Sequence, residues 1–431
     1  MNGGDVIGKG TYGLVHHKDA IMCRNKGDYH KGIVSKLMTA KAAFQEYSET
    51  ESISQTAKEI LGTVANKYFV FPIDEPCEID SNRIKKTDNY LVIKNNIINQ
   101  ESVDRIMRNV IETPYNYRLL HMQYGGKDVS IYTKQIFKEG NMEKMDSLKD
   151  GILDAFEYGI LPLNGKGIYH KDLKLDNIVI DDTGAVRIID WGLGLDMNKR
   201  KSSIPGYVQW NAPLSAPMIV KNDDYCDSKL KRKALFENLI NDKTGHYLFV
   251  IDIIKTALNQ LKKGRVSELL LNYNDSIYEK YTSQSDKNKI IVDREKFSEE
   301  YHRGVDIWGI VMIFGKLLID HPHIIDEAKS QISNAVLELF TDMSLEMKEE
   351  QAQKILQILR QIQFNPIKTP KLNSIKKRGF SEMYTPLNKR YTRHVGKNEK
   401  KRKMKSGYCR RTKKVSKIKK TKNRRKIYKE N

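Results

Sequence analysis

The chain has 431 residues, 39% apolar and 30% charged, with a formal net charge of +21, so it can bury a sizeable core and is not a low-complexity polymer. Its four cysteines, Cys23, Cys77, Cys226 and Cys409, show no C-x-x-C spacing; neither a disulfide framework nor a zinc site is expected, and a reducing, intracellular setting is. The longest apolar run, around 307–319, is interrupted by Gly and Lys and is too short to cross a bilayer, so a transmembrane segment is excluded.

The first patterned stretch is Ile7-Gly8-Lys9-Gly10-Thr11-Tyr12-Gly13-Leu14-Val15. Glycines at 8, 10 and 13 let backbone amides approach phosphates without side-chain interference. A P-loop would need Ser or Thr where Gly10 stands, so that reading is rejected. Gly32-Ile33-Val34-Ser35-Lys36 predicts an apolar strand ending in lysine, and a helix is expected over about 39–61. On that helix Glu46, Glu49 and Glu51 are all candidates to pair with Lys36. Glu49 is favoured because Ile53, Ala57 and Ile60 lie on its face, whereas Glu46 has only Thr50 at the equivalent place. Tyr68-Phe69-Val70-Phe71-Pro72 reads as a further strand, followed by an irregular insertion over about 73–117. Leu119-Leu120-His121-Met122-Gln123-Tyr124-Gly125-Gly126 reads as a strand ending in two glycines. Asp128, just beyond, suits either a ribose hydroxyl or a helix N-cap.

The most informative stretch is His170-Lys171-Asp172-Leu173-Lys174-Leu175-Asp176-Asn177, with Asp190-Trp191-Gly192 downstream. Ile178-Val179-Ile180 and Val186-Arg187-Ile188-Ile189 flank Asp181-Asp182-Thr183-Gly184, the pattern of two short strands around a tight turn. Such a hairpin brings Asn177 and Asp190 together beside Asp172 and Lys174. Phosphoryl transfer needs that set: a carboxylate for the hydroxyl proton, hard oxygen ligands for Mg²⁺, and a cation for developing charge. Far downstream, Val305-Asp306-Ile307-Trp308-Gly309 suggests the start of a buried apolar helix that Asp306 caps, ties to the loop at His170 and Lys171, or both.

These motifs, in this order, resemble the eukaryotic-type protein kinases, whose patterns are G-x-G-x-x-G-x-V, V-A-I-K, H-R-D-L-x-x-x-N, D-F-G and D-x-W-x-x-G. The resemblance covers about the first 360 residues. It implies an α+β, two-lobed fold: a small β-rich lobe over 1–124, and a larger helical lobe over 125–365 with an insertion at about 220–300. It also implies ATP and Mg²⁺ as cofactors. Residues 7–15, with Ile7 and Val15 clamping adenine, would cover the nucleotide; Met122 would be the gatekeeper, with Gln123 and Tyr124 at the hinge. Lys36 and its glutamate would position the phosphates, Asp172 would act as base, Lys174 would contact the transferring group, and Asn177 and Asp190 would hold the metal. Asp172-Leu173-Lys174 follows the Ser/Thr form, so protein serines and threonines are the implied substrates.

Departures are visible. Lys171 replaces the arginine that reads a phosphorylated activation loop (candidate sites Ser202, Ser203 and Tyr207), and Trp191 replaces the phenylalanine of D-F-G. Trp210-Asn211-Ala212-Pro213-Leu214-Ser215 lacks the usual glutamate and is similar to the N-x-P-[FL]-S ending of kinases from large DNA viruses. A catalytically silent scaffold and a choline- or aminoglycoside-type kinase stay open as alternatives.

The basicity belongs to the end of the chain. Residues 371–431 hold 25 Lys/Arg and 3 Glu, a net of +22, which leaves 1–370 near neutral. Runs such as Lys400-Lys401-Arg402-Lys403 cannot form a core, and 366–431 is expected to be a disordered basic tail. It would suit nucleic acid, nuclear import or an anionic lipid surface, or serve only as a solubilising tail.

Overall fold

The computed structural model describes residues 6–10, 13–17, 23–24, 32–80, 100–199, 210–214, 245–284, 290–342, 345 and 347–364. The chain divides into two units, Met1–Thr369 and Pro370–Asn431. All that follows concerns the first. Thr11, Tyr12, the phosphorylation candidates Ser202, Ser203 and Tyr207, the stretch 220–244, and the basic tail lie outside the described residues.

The N-terminal part is a five-stranded antiparallel sheet of β1 (Val6–Gly10), β2 (Gly13–His17), β3 (Ile33–Thr39), β4 (Cys77–Glu78) and β5 (Tyr117–Gln123), in the order β1-β2-β3-β5-β4. In β3, period-2 alternation puts Val34 and Lys36 on one face and Ser35 and Leu37 on the other. Across it α1 (Ala40–Leu61) starts where the Thr39 hydroxyl accepts from the Ala42 amide, an N-cap that stops the strand and begins the helix. Its buried stripe is Ala43, Glu46, Thr50, Ile53, Ser54 and Ala57.

Two expectations fail between α1 and β5. Tyr68 ends a short helical turn, and the residues after it form isolated bridges rather than a strand, because they bond to different partners: Phe69 bridges Ile188, and Pro72 bridges Met122. The supposedly irregular insertion contains α2 (Gln100–Glu112), where Ile106 and the fully buried Val110 share a face at i, i+4 spacing.

Beyond β5 come β6 (Lys127–Asp128), α3 (Val129–Glu139) and α4 (Met142–Asp154), then β7 (Ile168–Tyr169), the hairpin of β8 (Ile178–Ile180) and β9 (Val186–Ile188), and β10 (Leu195–Asp196). Strand β8 pairs with β6 on one side and β9 on the other, with Ile178 opposite Ile188. Helices α5 (Gly245–Leu261) and α6 (Val266–Tyr281) follow, then the hairpin β11 (Thr282–Gln284) and β12 (Ile290–Val292). The final helices are α7 (Arg294–Asp320), α8 (Asp326–Glu338) and α9 (Glu349–Gln361).

Helix α7 is the spine of the core, buried from Val305 through Phe314. It begins well before Asp306, with Asp293 as its N-cap, so Asp306 sits mid-helix and does not cap it. Gly309 has a packing reason: a β-carbon there would come within 2.9 Å of the Leu173 β-carbon and 3.2 Å of its carbonyl. Among the described residues no helix is long and apolar enough to cross a membrane.

The cysteines also depart from expectation. Cys23 and Cys77 are disulfide-bonded, although 54 residues separate them. Spacing rules could not reveal the pair, because strand pairing makes it: Cys23 bridges Ile79, and Cys77 lies opposite Leu119 on β5.

Candidate active site

The loop joining β7 to β8 is shaped by a buried anchor. Both oxygens of Asp306 are used: the amide of His170 donates at 2.9 Å and that of Lys171 at 2.8 Å. This bonding holds Lys171 in the left-handed region at φ 67°, a conformation costing a non-glycine residue about 1 kcal/mol or more. The His170 ring is buried; its Nδ1 accepts from the Asp172 amide at 3.3 Å, and its Nε2 lies 3.0 Å from the Ile189 carbonyl.

Asp172 emerges from this frame with both carboxylate oxygens engaged. Lys174 Nζ donates to Oδ2 at 2.6 Å and Asn177 Nδ2 to the same oxygen at 2.9 Å. Asn211 Nδ2 donates to Oδ1 at 2.9 Å and to the Leu173 carbonyl at 3.0 Å. Asn177 also donates to the Asp172 carbonyl at 2.8 Å, which turns its own side-chain oxygen the other way. The Asn177 carbonyl accepts from the Ile189 amide at 2.9 Å, so the hairpin brings Asn177 beside Asp190.

Asp190 is likewise left-handed, at φ 61°. Its Oδ1 lies 3.4 Å from Lys36 Nζ. Burial pushes the Asp190 carboxyl up, but Lys36, His170 and Lys174 outweigh that and hold it below the usual range, so it is ionised. Burial pulls the Lys36 ammonium down, and Asp190 and Glu46 more than offset this, leaving it above an ordinary lysine. Next to Asp190, Trp191 is 2% exposed and wedged among Phe69 at 5.1 Å, Phe71 at 5.6 Å and His170 at 4.7 Å between ring centroids.

The partner of Lys36 is Glu46, at 2.7 and 2.8 Å, and not Glu49. Glu46, Thr50, Ile53 and Ala57 form the i, i+4, i+7, i+11 stripe of α1 that faces inward. Glu49 lies to one side and accepts from Gln45 at 3.2 Å in an exposed position. Thr50, though polar, is part of that buried stripe and not a break in it, so the inward face runs through Glu46.

Around the adenine-side candidates, β1 and β2 run through Ile7, Gly8, Lys9, Gly10 and Gly13, with Lys9 opposite Leu14 and Gly8 opposite Val15. Leu14 is fully buried and Val15 half-buried. Met122 pairs with Val34 and Gln123 with Ile33, while the Tyr124 amide donates to the Gly32 carbonyl at 2.6 Å. Asp128 resolves as a helix cap, accepting from the Ser130 and Ile131 amides at 2.7 and 3.2 Å.

Asn211 was missed as a site residue. Its signal was present, an amide-bearing side chain in an otherwise apolar stretch before Pro213, but nothing local says that it reaches Asp172.

Chemically, the cluster joins an oriented carboxylate, two lysines, and two hard oxygen donors from Asn177 and Asp190. That donor set fits an oxygen-loving divalent cation bridging to phosphates. Comparison with known proteins points the same way. Residues 80–230 match the model of the protein kinase domain. The matched domain and the similarity to known kinases support a place in the protein kinase superfamily. Sperm motility kinase 3A of Mus musculus is 30% identical over 160 residues, 37% of this chain and 30% of that one. CBL-interacting protein kinase 24 of Oryza sativa subsp. japonica is 22% identical over 223 residues, 48% and 46% of the two chains. Serine/threonine-protein kinase RIM15 of Saccharomyces cerevisiae is 23% identical over 264 residues, 59% and 14%. In each case the match covers less than half of the relative's length.

Proposed function

We propose that this kinase transfers the γ-phosphate of ATP to serine and threonine hydroxyls of proteins. The observation that carries the reading is the direct contact of Lys174 with Asp172, in a cluster that also holds Asn177, Asp190 and the Lys36–Glu46 pair. Asp172 orients the hydroxyl and accepts its proton, and Lys174 compensates charge on the group in transfer. Asn177 and Asp190 would hold Mg²⁺, which supplies neutralisation of the phosphate oxygens when bound. Lys36, held by Glu46, positions the phosphates, with Met122, Gln123 and Tyr124 beside the base. In this reading the sheet with α1 and the helical remainder are the two lobes of a kinase, and the protein works inside the cell. The names of relatives such as RIM15, a serine/threonine-protein kinase, support the choice of acceptor. The charge of 371–431 supports a second role for that segment, retention on nucleic acid or another anionic surface.

The test is incubation of the purified chain with γ-labelled ATP, Mg²⁺ and a generic basic protein, followed by separation of the phosphoamino acids. Label on phosphoserine and phosphothreonine is expected. Label on phosphotyrosine alone, transfer only to an aminoglycoside or choline, or no transfer at all would overturn the reading.

A further inference from the structure

On the face of the sheet opposite Lys36 lies a cluster that the phosphoryl chemistry does not use. Cys23 Sγ is 3.0 Å and Cys77 Sγ 3.6 Å from Nε2 of His121. The three candidate ligand atoms all lie within 4.8 Å of one another. Cys23 and His121 are 2% and 1% exposed, while Cys77 is half-buried on the edge strand β4, which gives the cluster a way in from solvent. His121 Nδ1 is 2.9 Å from Ser35 Oγ, its register partner on β3. With that hydroxyl accepting from Nδ1–H, the ring presents its Nε2 lone pair to the sulfurs, the arrangement by which an outer hydrogen bond orients a metal-binding imidazole.

We propose that the reduced chain binds one Zn²⁺ through Cys23, Cys77 and His121, and that the disulfide is the oxidised, metal-free form of the same site. Tetrahedral zinc with bonds of about 2.3 Å to sulfur and 2.0 Å to nitrogen sets its ligand atoms roughly 3.5–3.8 Å apart. The Cys77–His121 distance, 3.6 Å, already lies in that range, so the sulfur–sulfur separation and, by about half an ångström, the 3.0 Å Cys23–His121 distance have to open. The chemistry balances with a dithiol as reductant. One of its thiolates attacks a sulfur of the pair, the Cys23–Cys77 bond breaks, and the reductant leaves as its own disulfide while both cysteines become thiols. Zinc then displaces two protons, one from each thiol, and Nε2 completes the protein ligands. Three such ligands leave a fourth position for water. The disulfide ties Cys23 to β4, whereas the metal-bound form would tie both to β5 at His121, one residue before Met122. The inference is independent of which hydroxyl the kinase phosphorylates.

The test uses the full chain carrying Cys226→Ser and Cys409→Ser, so that only the proposed pair supplies thiols. It is prepared reduced and oxidised, stripped of metal, and titrated with Co²⁺ and then Zn²⁺ without Mg²⁺. Expected are thiolate-to-cobalt charge-transfer and tetrahedral d–d absorption in the reduced sample alone, with one equivalent bound, displaced by Zn²⁺, and lost on reoxidation. Adding Cys77→Ser, at a half-buried edge position, should remove the charge-transfer band or weaken metal binding at least 100-fold. Should that variant fail to fold, the reduced-against-oxidised comparison carries the test alone. Absence of a thiolate–cobalt band in the folded, reduced chain, or equal binding by the oxidised chain, would overturn the proposal and leave a structural disulfide only.

Discussion

The loop around Asp172 and the pair formed by Lys36 are held by different means. Asp172 receives hydrogen bonds from Lys174, Asn177 and Asn211, and the loop behind it hangs on Asp306 in the middle of α7. Lys36 depends on Glu46, and so on one rotational setting of α1, with Asp190 in support at 3.4 Å. The first region is fixed by several buried contacts that fail separately. The second has one principal contact and fails or moves as a unit, since removing one partner of a buried ion pair leaves an uncompensated charge. The difference predicts a rigid catalytic loop and an adjustable nucleotide-holding side.

Substitutions can break that contrast. Asp172→Asn keeps the shape of the loop but removes the proposed proton acceptor; kcat should fall by about 10²–10⁴-fold with the fold intact, measured by steady-state phosphate transfer and thermal melting. Glu46→Gln should lower kcat/KM by roughly 10²-fold through misplaced phosphates, while Glu49→Gln stays within about twofold of the parent. Equal losses in those two variants would contradict the assignment of the ion pair. Asn211→Ala removes one donor to Asp172 where others remain, so kcat should drop only about 10-fold, the effect of one hydrogen bond to a charged group. A collapse as large as that of Asp172→Asn would show the loop to be less redundant than its contacts imply.

The smallest effect concerns stability against pH. His302 is fully buried beside Tyr169, and burial, with Lys171 adding to it, lowers its pKa to about 4. The unfolded chain takes up that proton near pH 6.5, so it binds more protons than the folded state between about 6.5 and 4. Stability from this group is therefore complete above pH 6.5 and is lost as the pH falls through that window, on the order of 3 kcal/mol in total. Denaturant melts of His302→Gln should show a shallower acid slope than the parent; unchanged slopes would remove His302 as the cause.

Legibility in the sequence followed the same division. Asp172, Lys174 and Asn177 are within six residues, and a hairpin of predictable length delivers Asp190, so short-range pattern carried the catalytic loop. Glu46 against Glu49 depended on how α1 is rolled, and a polar Thr50 within the buried stripe hid the answer. Asn211 reaches Asp172 only by long-range packing, and the Cys23–Cys77 pair exists only because strand pairing closes a 54-residue separation. Asp306 seemed able to start a helix because the preceding turns, Arg294 to Val305, are mostly polar on one side and mask the buried Phe297 and Tyr301.

A joint cation site formed by Asn177 and Asp190 next to Asp172 is central to the proposed phosphate transfer. Phosphate transfer by the parent chain and by Asp190→Ala, each followed across a series of Mg²⁺ concentrations with ATP held constant, tests this most directly. The parent should show saturable, Mg²⁺-dependent transfer, and the folded variant should show none that added Mg²⁺ restores. Parent-level transfer by Asp190→Ala, or transfer by the parent that is indifferent to removal of divalent cations, would contradict it.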